Sequence, residues 1–257
     1  MLNIHKKIAE IEEGAQKAAL CLVTHTRGST PGKAGAKMIV WDNGHIYGTI
    51  GGGSLEKQVI SDAQWVLQTQ KAQTFHHALL QDHEMCCGGS VEIFIEPIMT
   101  KKKLFIFGAG HIGKYLAKFA HELDFQLNII DERAGIFDDW ETDNYHLYKM
   151  SHAEAFPQLS FDAECFITVI THNHAYDRMI IAHCAKQPHA YLGMIGSRRK
   201  VEIAQKSMLA KGLLTEEEMQ NIDWPIGIEL PVKTPAEIAI AIVAKLIEIR
   251  AKIAKHA

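Results

Sequence analysis

Two adjacent cysteines, Cys86 and Cys87, are followed by two glycines and a predicted strand. A thiolate at the mouth of a strand, beside glycine amides, can ligate a soft metal or accept sulfur. His83 stands three residues before Cys86, within reach of a contact through the loop. The alternative is a partly buried thiol without a chemical role, and the residues alone leave both interpretations open. Neighbouring cysteines rarely pair with each other, so we expect no structural disulfide here.

A glycine-rich segment, residues 108–113, follows a predicted strand and opens a predicted helix, and Asp131 ends the next strand. This is the arrangement of a dinucleotide-binding turn. In such a turn Gly108, Gly110 and Gly113 allow a pyrophosphate to approach the amides at the helix N-terminus, and the acid accepts hydrogen bonds from a ribose. The alternative is a tight strand-to-helix turn in a domain that has lost its nucleotide.

A second potential anion cradle is formed by Gly51, Gly52, Gly53 and Ser54, ahead of another amphipathic helix. Ser54 is the predicted N-cap of that helix. The segment lacks the Gly-Lys-Ser/Thr ending of a P-loop. A tight turn without a ligand is therefore the alternative to an anion site.

Polar segments also follow predicted strands at residues 131–133, 171–174 and 193–200, where open α/β sheets place ligands. Ser197 is predicted to cap a helix whose first turn carries three cations, beginning with Arg198. Cations there oppose the helix dipole, so either an anion binds among them or they form a solvated basic face. His172 and His174, with Asp177 nearby, could bind a metal, but their spacing matches no known metal signature, which favours polar residues lining a cleft.

The elements that must position these residues fall into two predicted domains, 1–99 and 101–257, separated by a proline and a basic bridge. In the first, the patterns predict helices at 3–19 and after Gly53, and strands at 20–24, 37–40, 45–49 and 90–96. In the second, strands at 103–107, 126–130, 145–148, 164–170 and 190–194 alternate with helices at 111–123, 175–186, 197–211 and 235–254. This predicts an α/β protein, with a small N-terminal α/β domain followed by a Rossmann-like, doubly wound parallel-sheet domain.

Composition excludes several classes of protein. The chain has 257 residues and a formal net charge of −3, and it contains no apolar run of the roughly 18 residues that a membrane span needs. We therefore expect neither a nucleic-acid nor a membrane partner. Five unevenly spaced cysteines, with no apparent signal peptide, are typical of a cytoplasmic protein. We assign no catalytic residue, because neither a Ser/His/Asp order nor a carboxylate pair is convincing, so the sequence offers binding features and little catalytic machinery.

Taken together, these motifs make the chain similar to the xanthine dehydrogenase accessory protein family, of the XdhC/CoxI type, along nearly its whole length. The resemblance rests on segments 28–32, 35–38, 48–56, 87–92 and 95–97 in the first predicted domain, and 107–113, 131–133, 171–174, 195–197 and 234–239 in the second.

The resemblance implies a cytosolic chaperone for the molybdenum cofactor, molybdopterin. Such a protein binds the cofactor, presents it to a cysteine desulfurase and delivers it to a xanthine dehydrogenase-type molybdenum hydroxylase. The family's cysteine before Gly-Gly corresponds to Cys87, the implied metal contact, with Cys86 as its neighbour. Many CoxI-like relatives carry a cysteine where this chain has Ser54.

The chemistry of this cofactor, a phosphorylated pterin, leads to hypotheses for the turns, since helix N-termini and cations bind phosphate. Gly51 to Gly53 with Ser54 would cradle part of the cofactor, and Ser197 with Arg198 would hold phosphate. Gly108, Gly110, Gly113 and Asp131 would bind NAD(P), another nucleotide or the cofactor's own dinucleotide form.

Two other functions stay open at this point. One is an NAD(P)-dependent oxidoreductase, and the other is a nucleotide-sensing binding module. The apolar stripe of the terminal helix leads us to expect a homodimer.

Overall fold

The computed structural model describes residues 3–14, 16–79, 88–140 and 145–256. The chain divides into two compact units, Met1–Lys101 and Lys102–His256. No helix within the described ranges has the length and apolar character that crossing a membrane requires.

The first unit is a five-stranded antiparallel sheet with the strand order β3-β2-β1-β5-β4. Helix α2 packs on the sheet, and Cys21, Met38, Val59 and Ile93 are fully buried in the core between them. The elements are α1 (Ile4–Glu12), β1 (Ala18–Arg27), β2 (Lys37–Trp41), β3 (Ile46–Gly48), α2 (Gly53–Thr69), β4 (Gln73–Ala78) and β5 (Ser90–Ile98).

Two predictions about the first unit are wrong. The helix predicted at 3–19 ends at Glu12, because Ala18 and Ala19 instead pair with β2 and are fully buried. Sheet pairing thus overrides the helical preference of alanine. Ser54 is not the N-cap of α2, since the helix begins at Gly53 and the cap position is Gly52. Strand β4 was not predicted, because its sequence of mostly polar residues lacks an apolar alternation.

The second unit is a six-stranded parallel sheet with the order β11-β10-β9-β6-β7-β8. The strand order reverses between β6 and β9, as in a doubly wound nucleotide-binding fold, and this confirms the predicted fold class. The strands are β6 (Lys102–Phe107), β7 (Phe125–Ile130), β8 (Tyr145–Tyr148), β9 (Phe166–Val169), β10 (Tyr191–Met194) and β11 (Ile222–Asp223). The helices are α3 (His111–His121), α4 (His152–Ala155), α5 (His174–Cys184), α6 (Arg198–Ala210), α7 (Glu216–Gln220) and α8 (Pro235–His256), and a 3-10 turn spans Phe156–Gln158.

Helices cover both faces of this sheet, so its strands are apolar on both sides. Helices α3 and α8 pack on one face, and α5 and α6 pack on the other. In α8, Ile242 and Leu246 of the predicted stripe are fully buried in the unit's own core. The stripe that motivated the homodimer is therefore used within the unit, and the homodimer stays a prediction.

The predicted start of α8 is confirmed. Thr234 Oγ1 accepts a hydrogen bond from the Glu237 amide at 3.3 Å, and Glu237 Oε2 accepts one from the Thr234 amide at 2.8 Å. This reciprocal capping box satisfies amides that the helix itself leaves unpaired.

Thr234→Ala should lower the free energy of unfolding by about 1 kcal/mol, because the substitution removes the side-chain acceptor of the cap. Urea denaturation of the full chain measures this loss. Thr234→Ser keeps the acceptor and should behave like the original chain. An alanine variant as stable as the serine variant would show that the cap contributes nothing.

Candidate functional site

The glycine-rich turn after β6 is shaped by close backbone contacts. Gly108 has φ +116°, and a Cβ there would lie 2.5 Å from the Ile170 carbonyl oxygen. A Cβ on Gly113 would collide with the Gly108 carbonyl oxygen. Gly110 differs, because the nearest atom to a Cβ at that position would be Arg133 Nη2, at 3.8 Å. Gly108 and Gly113 are therefore required by the shape of the turn, whereas Gly110 leaves space above the turn.

The first turn of α3 faces this space. Gly110 is its N-cap and has no side chain to bond the first amides. A helix leaves these amides without intrahelical acceptors, and its dipole adds positive potential at the same end. The turn is thus suited to a phosphate or pyrophosphate.

Asp131, the predicted ribose acceptor, is engaged with the protein itself. Its carboxylate accepts hydrogen bonds from the Ala109 amide at 2.8 Å and from Arg133 Nε at 2.9 Å and Nη2 at 2.6 Å. Burial alone would raise the pKa of this 2% exposed residue, but the Arg133 and Ala109 hydrogen bonds outweigh it and lower the pKa. A ribose would have to compete with Arg133 for this carboxylate, and the ribose role stays a prediction.

The Gly51–Gly53 cradle also holds an internal carboxylate. Glu56 Oε1 accepts hydrogen bonds from the Ile50 amide at 3.0 Å, the Gly52 amide at 2.9 Å and the Thr49 hydroxyl at 2.6 Å. Burial raises the pKa of Glu56, and these donors more than offset it, so the pKa is lowered. The cradle has the donors of an anion site, and any ligand would have to displace Glu56. Its predicted role in binding the cofactor stays a prediction.

Glu56→Ala should destabilise the chain by about 2 kcal/mol, because it leaves several donors of the cradle without an acceptor. Glu56→Gln keeps one acceptor oxygen and should cost about half as much. Since the pKa of Glu56 is lowered by folding, its stabilisation is present above the unfolded pKa and is lost as the pH falls through the folded pKa. Urea denaturation between pH 3 and 7 tests this, and an alanine variant equal to the parent at neutral pH would contradict it.

The segment after β9 forms a buried hydrogen-bond network. Asp177, 1% exposed, accepts from the Thr171 hydroxyl at 2.6 Å, and its other oxygen lies 3.0 Å from His174 Nδ1. Burial raises the pKa of Asp177, although Thr171 and His174 partly oppose the rise. In the described ranges no three His, Cys, Asp or Glu side chains are placed to hold a metal ion. The network joins the segment after β9 to the first turn of α5.

His152 was missed by the sequence analysis. It is 2% exposed, its ring packs edge-on against Phe107 and Tyr176, and its Nδ1 has no hydrogen-bond partner in the part of the chain that the structure describes. Burial lowers its pKa. The available signal was the capping box of Ser151 and Glu154, which predicts a helix start but not the position of the ring.

The remaining candidates are placed as follows. Ser197 caps α6, as predicted, through a 3.4 Å hydrogen bond from the Lys200 amide. Arg198 forms an exposed ion pair with Glu229, and its phosphate role stays a prediction. Cys86 and Cys87 lie outside the described residues. The other three cysteines, Cys21, Cys165 and Cys184, are buried.

The second unit thus belongs to a recognisable class: it is a Rossmann-type α/β domain with a glycine-rich turn at the N-terminus of a helix. The family model described as the XdhC Rossmann domain matches residues 104–246, and the XdhC and CoxI family model matches residues 12–78. The chain belongs to the XdhC family.

Two curated proteins are similar to the chain. The uncharacterized protein YqeB of Escherichia coli K12 is 32% identical over 261 aligned positions, which cover 97% of this chain and 46% of that protein. A probable xanthine dehydrogenase subunit from Bacillus subtilis 168 is 26% identical, over 64% of this chain and 48% of that protein. The chain spans about half the length of the curated relatives it matches.

A solved structure shares the fold. It is the crystal structure of a xanthine dehydrogenase from Bacillus halodurans, with a TM-score of 0.53 and 18% sequence identity. The match covers 96% of this chain and 95% of that one. At this identity the likeness supports the fold alone.

Proposed function

We propose that the protein is an accessory protein of a xanthine dehydrogenase-type molybdenum hydroxylase, which binds the molybdenum cofactor and supports its sulfuration and insertion. One observation carries the proposal: within an XdhC-family chain, the N-terminus of α3 stands open over Gly110, with its first-turn amides unused by any side-chain cap. A phosphorylated pterin offers the anionic group that such a turn binds.

The phosphate or dinucleotide end of the cofactor is the part assigned to the second unit. Gly108 and Gly113 hold the turn in shape, Gly110 allows close approach, and Arg133 Nη2 lies near the same space. Asp131 fixes Arg133 and the Ala109 amide in place. NAD(P) would use the same donors.

The molybdenum end requires a soft ligand, and Cys87, with Cys86 beside it, is the candidate. In this proposal the Cys87 thiolate contacts molybdenum or relayed sulfur. A cysteine desulfurase supplies the sulfur, and the hydroxylase receives the cofactor. We also propose a cytoplasmic location and a homodimer.

The test is to express the full chain in cells that make the cofactor, and to measure bound molybdenum and the fluorescent oxidised pterin. We expect near-stoichiometric cargo that falls at least tenfold in Cys87→Ser. Cys165→Ala is the matched control, because that thiol is fully buried and its burial raises its pKa to about 11. Protein purified without cargo, or equal loading of Cys87→Ser and Cys165→Ala, would refute the proposal.

An NAD(P)-dependent oxidoreductase is the second candidate, favoured by the position of Asp131 at the end of β7, where such enzymes bind ribose. It predicts saturable NAD(P) binding and substrate-dependent oxidation of NAD(P)H. Both should survive Cys87→Ser, which separates the two candidates.

A further inference from the structure

We propose that the second unit contains a further ligand site, which takes a small organic anion with a short apolar body. The site is a cavity of about 190 Å³ between the N-terminal halves of α5 and α6, lined in part by Arg178, Lys200 and Ile203. It lies where β9 and β10 end, at the carboxyl edge of the parallel sheet, where α/β folds bind ligands. This inference does not depend on the proposed function.

The charge of the cavity selects an anion. Arg178, half-buried on α5, and Lys200, exposed on the first turn of α6, both line it. Within the described ranges neither side chain has a hydrogen bond or an ion pair, whereas Arg198 is paired with Glu229. A cation in the first turn of a helix opposes the dipole. An anion between Lys200 and Arg178 would remove that conflict.

The carboxylate in the wall does not neutralise these cations directly. Asp177 lines the cavity, but its two oxygens are engaged by the Thr171 hydroxyl and by His174. His174 also lines the cavity and is the remaining titratable group there. Two cations, Arg178 and Lys200, stand against the one carboxylate of the lining, so the site carries a net positive charge that favours an anion over a metal cation.

The other walls are apolar. Met194 and Ala204, 3% and 5% exposed, line the cavity together with Ile195. Ile203, also in the lining, is 58% exposed. An inorganic ion would leave this surface uncovered, and burying it against an alkyl chain is favourable. The occupant is therefore an acid with a hydrocarbon part.

The volume limits the size of the occupant. At ~30 Å³ for a water molecule in the liquid, 190 Å³ holds about six waters. This is room for a monocarboxylate of about six carbons. No residue of the 108–113 turn lines the cavity, so the site is distinct from the nucleotide turn.

The experiment uses hexanoate as the probe on the full chain. Calorimetry measures affinity, and backbone amide NMR shifts at residues 194–200 locate the site. Inorganic phosphate tests the charge alone, and 1-hexanol tests the apolar part alone. We expect saturable hexanoate binding, weaker by about tenfold in Arg178→Gln and in Lys200→Gln, and weakened also in Ile203→Ser. Phosphate binding should be weak, and it should be unchanged in Ile203→Ser.

Arg199→Gln is the matched control, since it removes the same charge from the same helical turn outside the cavity lining. It should bind hexanoate like the parent chain. Thermal unfolding checks that each variant is folded. An equal loss in Arg199→Gln would show a general charge effect and overturn the proposal. The absence of saturable hexanoate binding, phosphate binding as tight as hexanoate binding, or shifts centred on residues 108–113 would each overturn it as well.

Discussion

Gly113→Ala is expected to lower the free energy of unfolding of the full chain by about 3 kcal/mol. Gly113 is buried in the first turn of α3, and a Cβ there would overlap the Gly108 carbonyl oxygen. Because that oxygen belongs to the backbone of the turn, only a shift of the helix away from β6 can relieve the overlap. Alanine is the better helix former by about 1 kcal/mol, so the overlap outweighs the propensity.

Gly110→Ala is the matched control, since its Cβ would meet nothing closer than Arg133 Nη2 at 3.8 Å and its φ is −70°. We expect this variant to unfold within about 0.5 kcal/mol of the parent in urea. Its cofactor or nucleotide binding should nevertheless fall, because the methyl group occupies the space above the helix N-terminus. Equal stability of the two alanine variants would contradict the assignment of Gly113 to the fold and Gly110 to the ligand.

Much of the second unit follows from its sequence. Buried strands such as Phe105–Phe107 alternate with amphipathic helices, and this pattern has few solutions other than a doubly wound parallel sheet. Elements that depend on contacts with residues far away in the sequence are harder to predict. Strand β4 is recognised only by its pairing with β5, and α1 is shortened because Ala18 enters the sheet. In both segments the pairing of strands determines the secondary structure, and it overrides the preference of the local sequence.

The sequence predicts about as much of the candidate site as it does of the fold. Spacing identified the glycine turn and Asp131, because both are local signals at strand ends. It did not reveal that Glu56 fills the Gly51–Gly53 cradle, since the direction of a helical side chain depends on how the turn folds back. The spacing also does not show that Arg178 and Lys200 line the same cavity, because these residues come from two different helices.

The two glycine-rich turns are stabilised in the same way. In each, an internal carboxylate accepts backbone amide hydrogens, Glu56 in the first unit and Asp131 in the second. An amide of a tight turn that has no partner is costly when buried. An internal acceptor therefore keeps each turn in shape without a ligand, and both carboxylates contribute to the stability of the folded chain.

Asp131→Ala is accordingly expected to cost about 3 kcal/mol of unfolding free energy, because breaking a buried pair by removing one partner leaves the other uncompensated. The carboxylate is 2% exposed, and its loss leaves Arg133 and the Ala109 amide without their acceptor. Asp131→Asn keeps one oxygen for the Ala109 amide and should cost about half as much. Arg133→Ala should cost less still, because its side chain is 34% exposed and water can replace it.

The pH dependence of the unfolding free energy distinguishes the contribution of the Asp131 charge from the contribution of its shape. Folding lowers the pKa of Asp131, so its ionic contribution is complete above the unfolded value of about 4 and is lost as the pH falls through the folded value. Urea denaturation of the parent and of Asp131→Asn should therefore differ by a constant amount at pH 5 to 7. The two curves should converge below pH 4, because the protonated aspartic acid then resembles asparagine. A difference that stayed constant down to pH 3 would show that shape alone, and not charge, anchors the glycine turn.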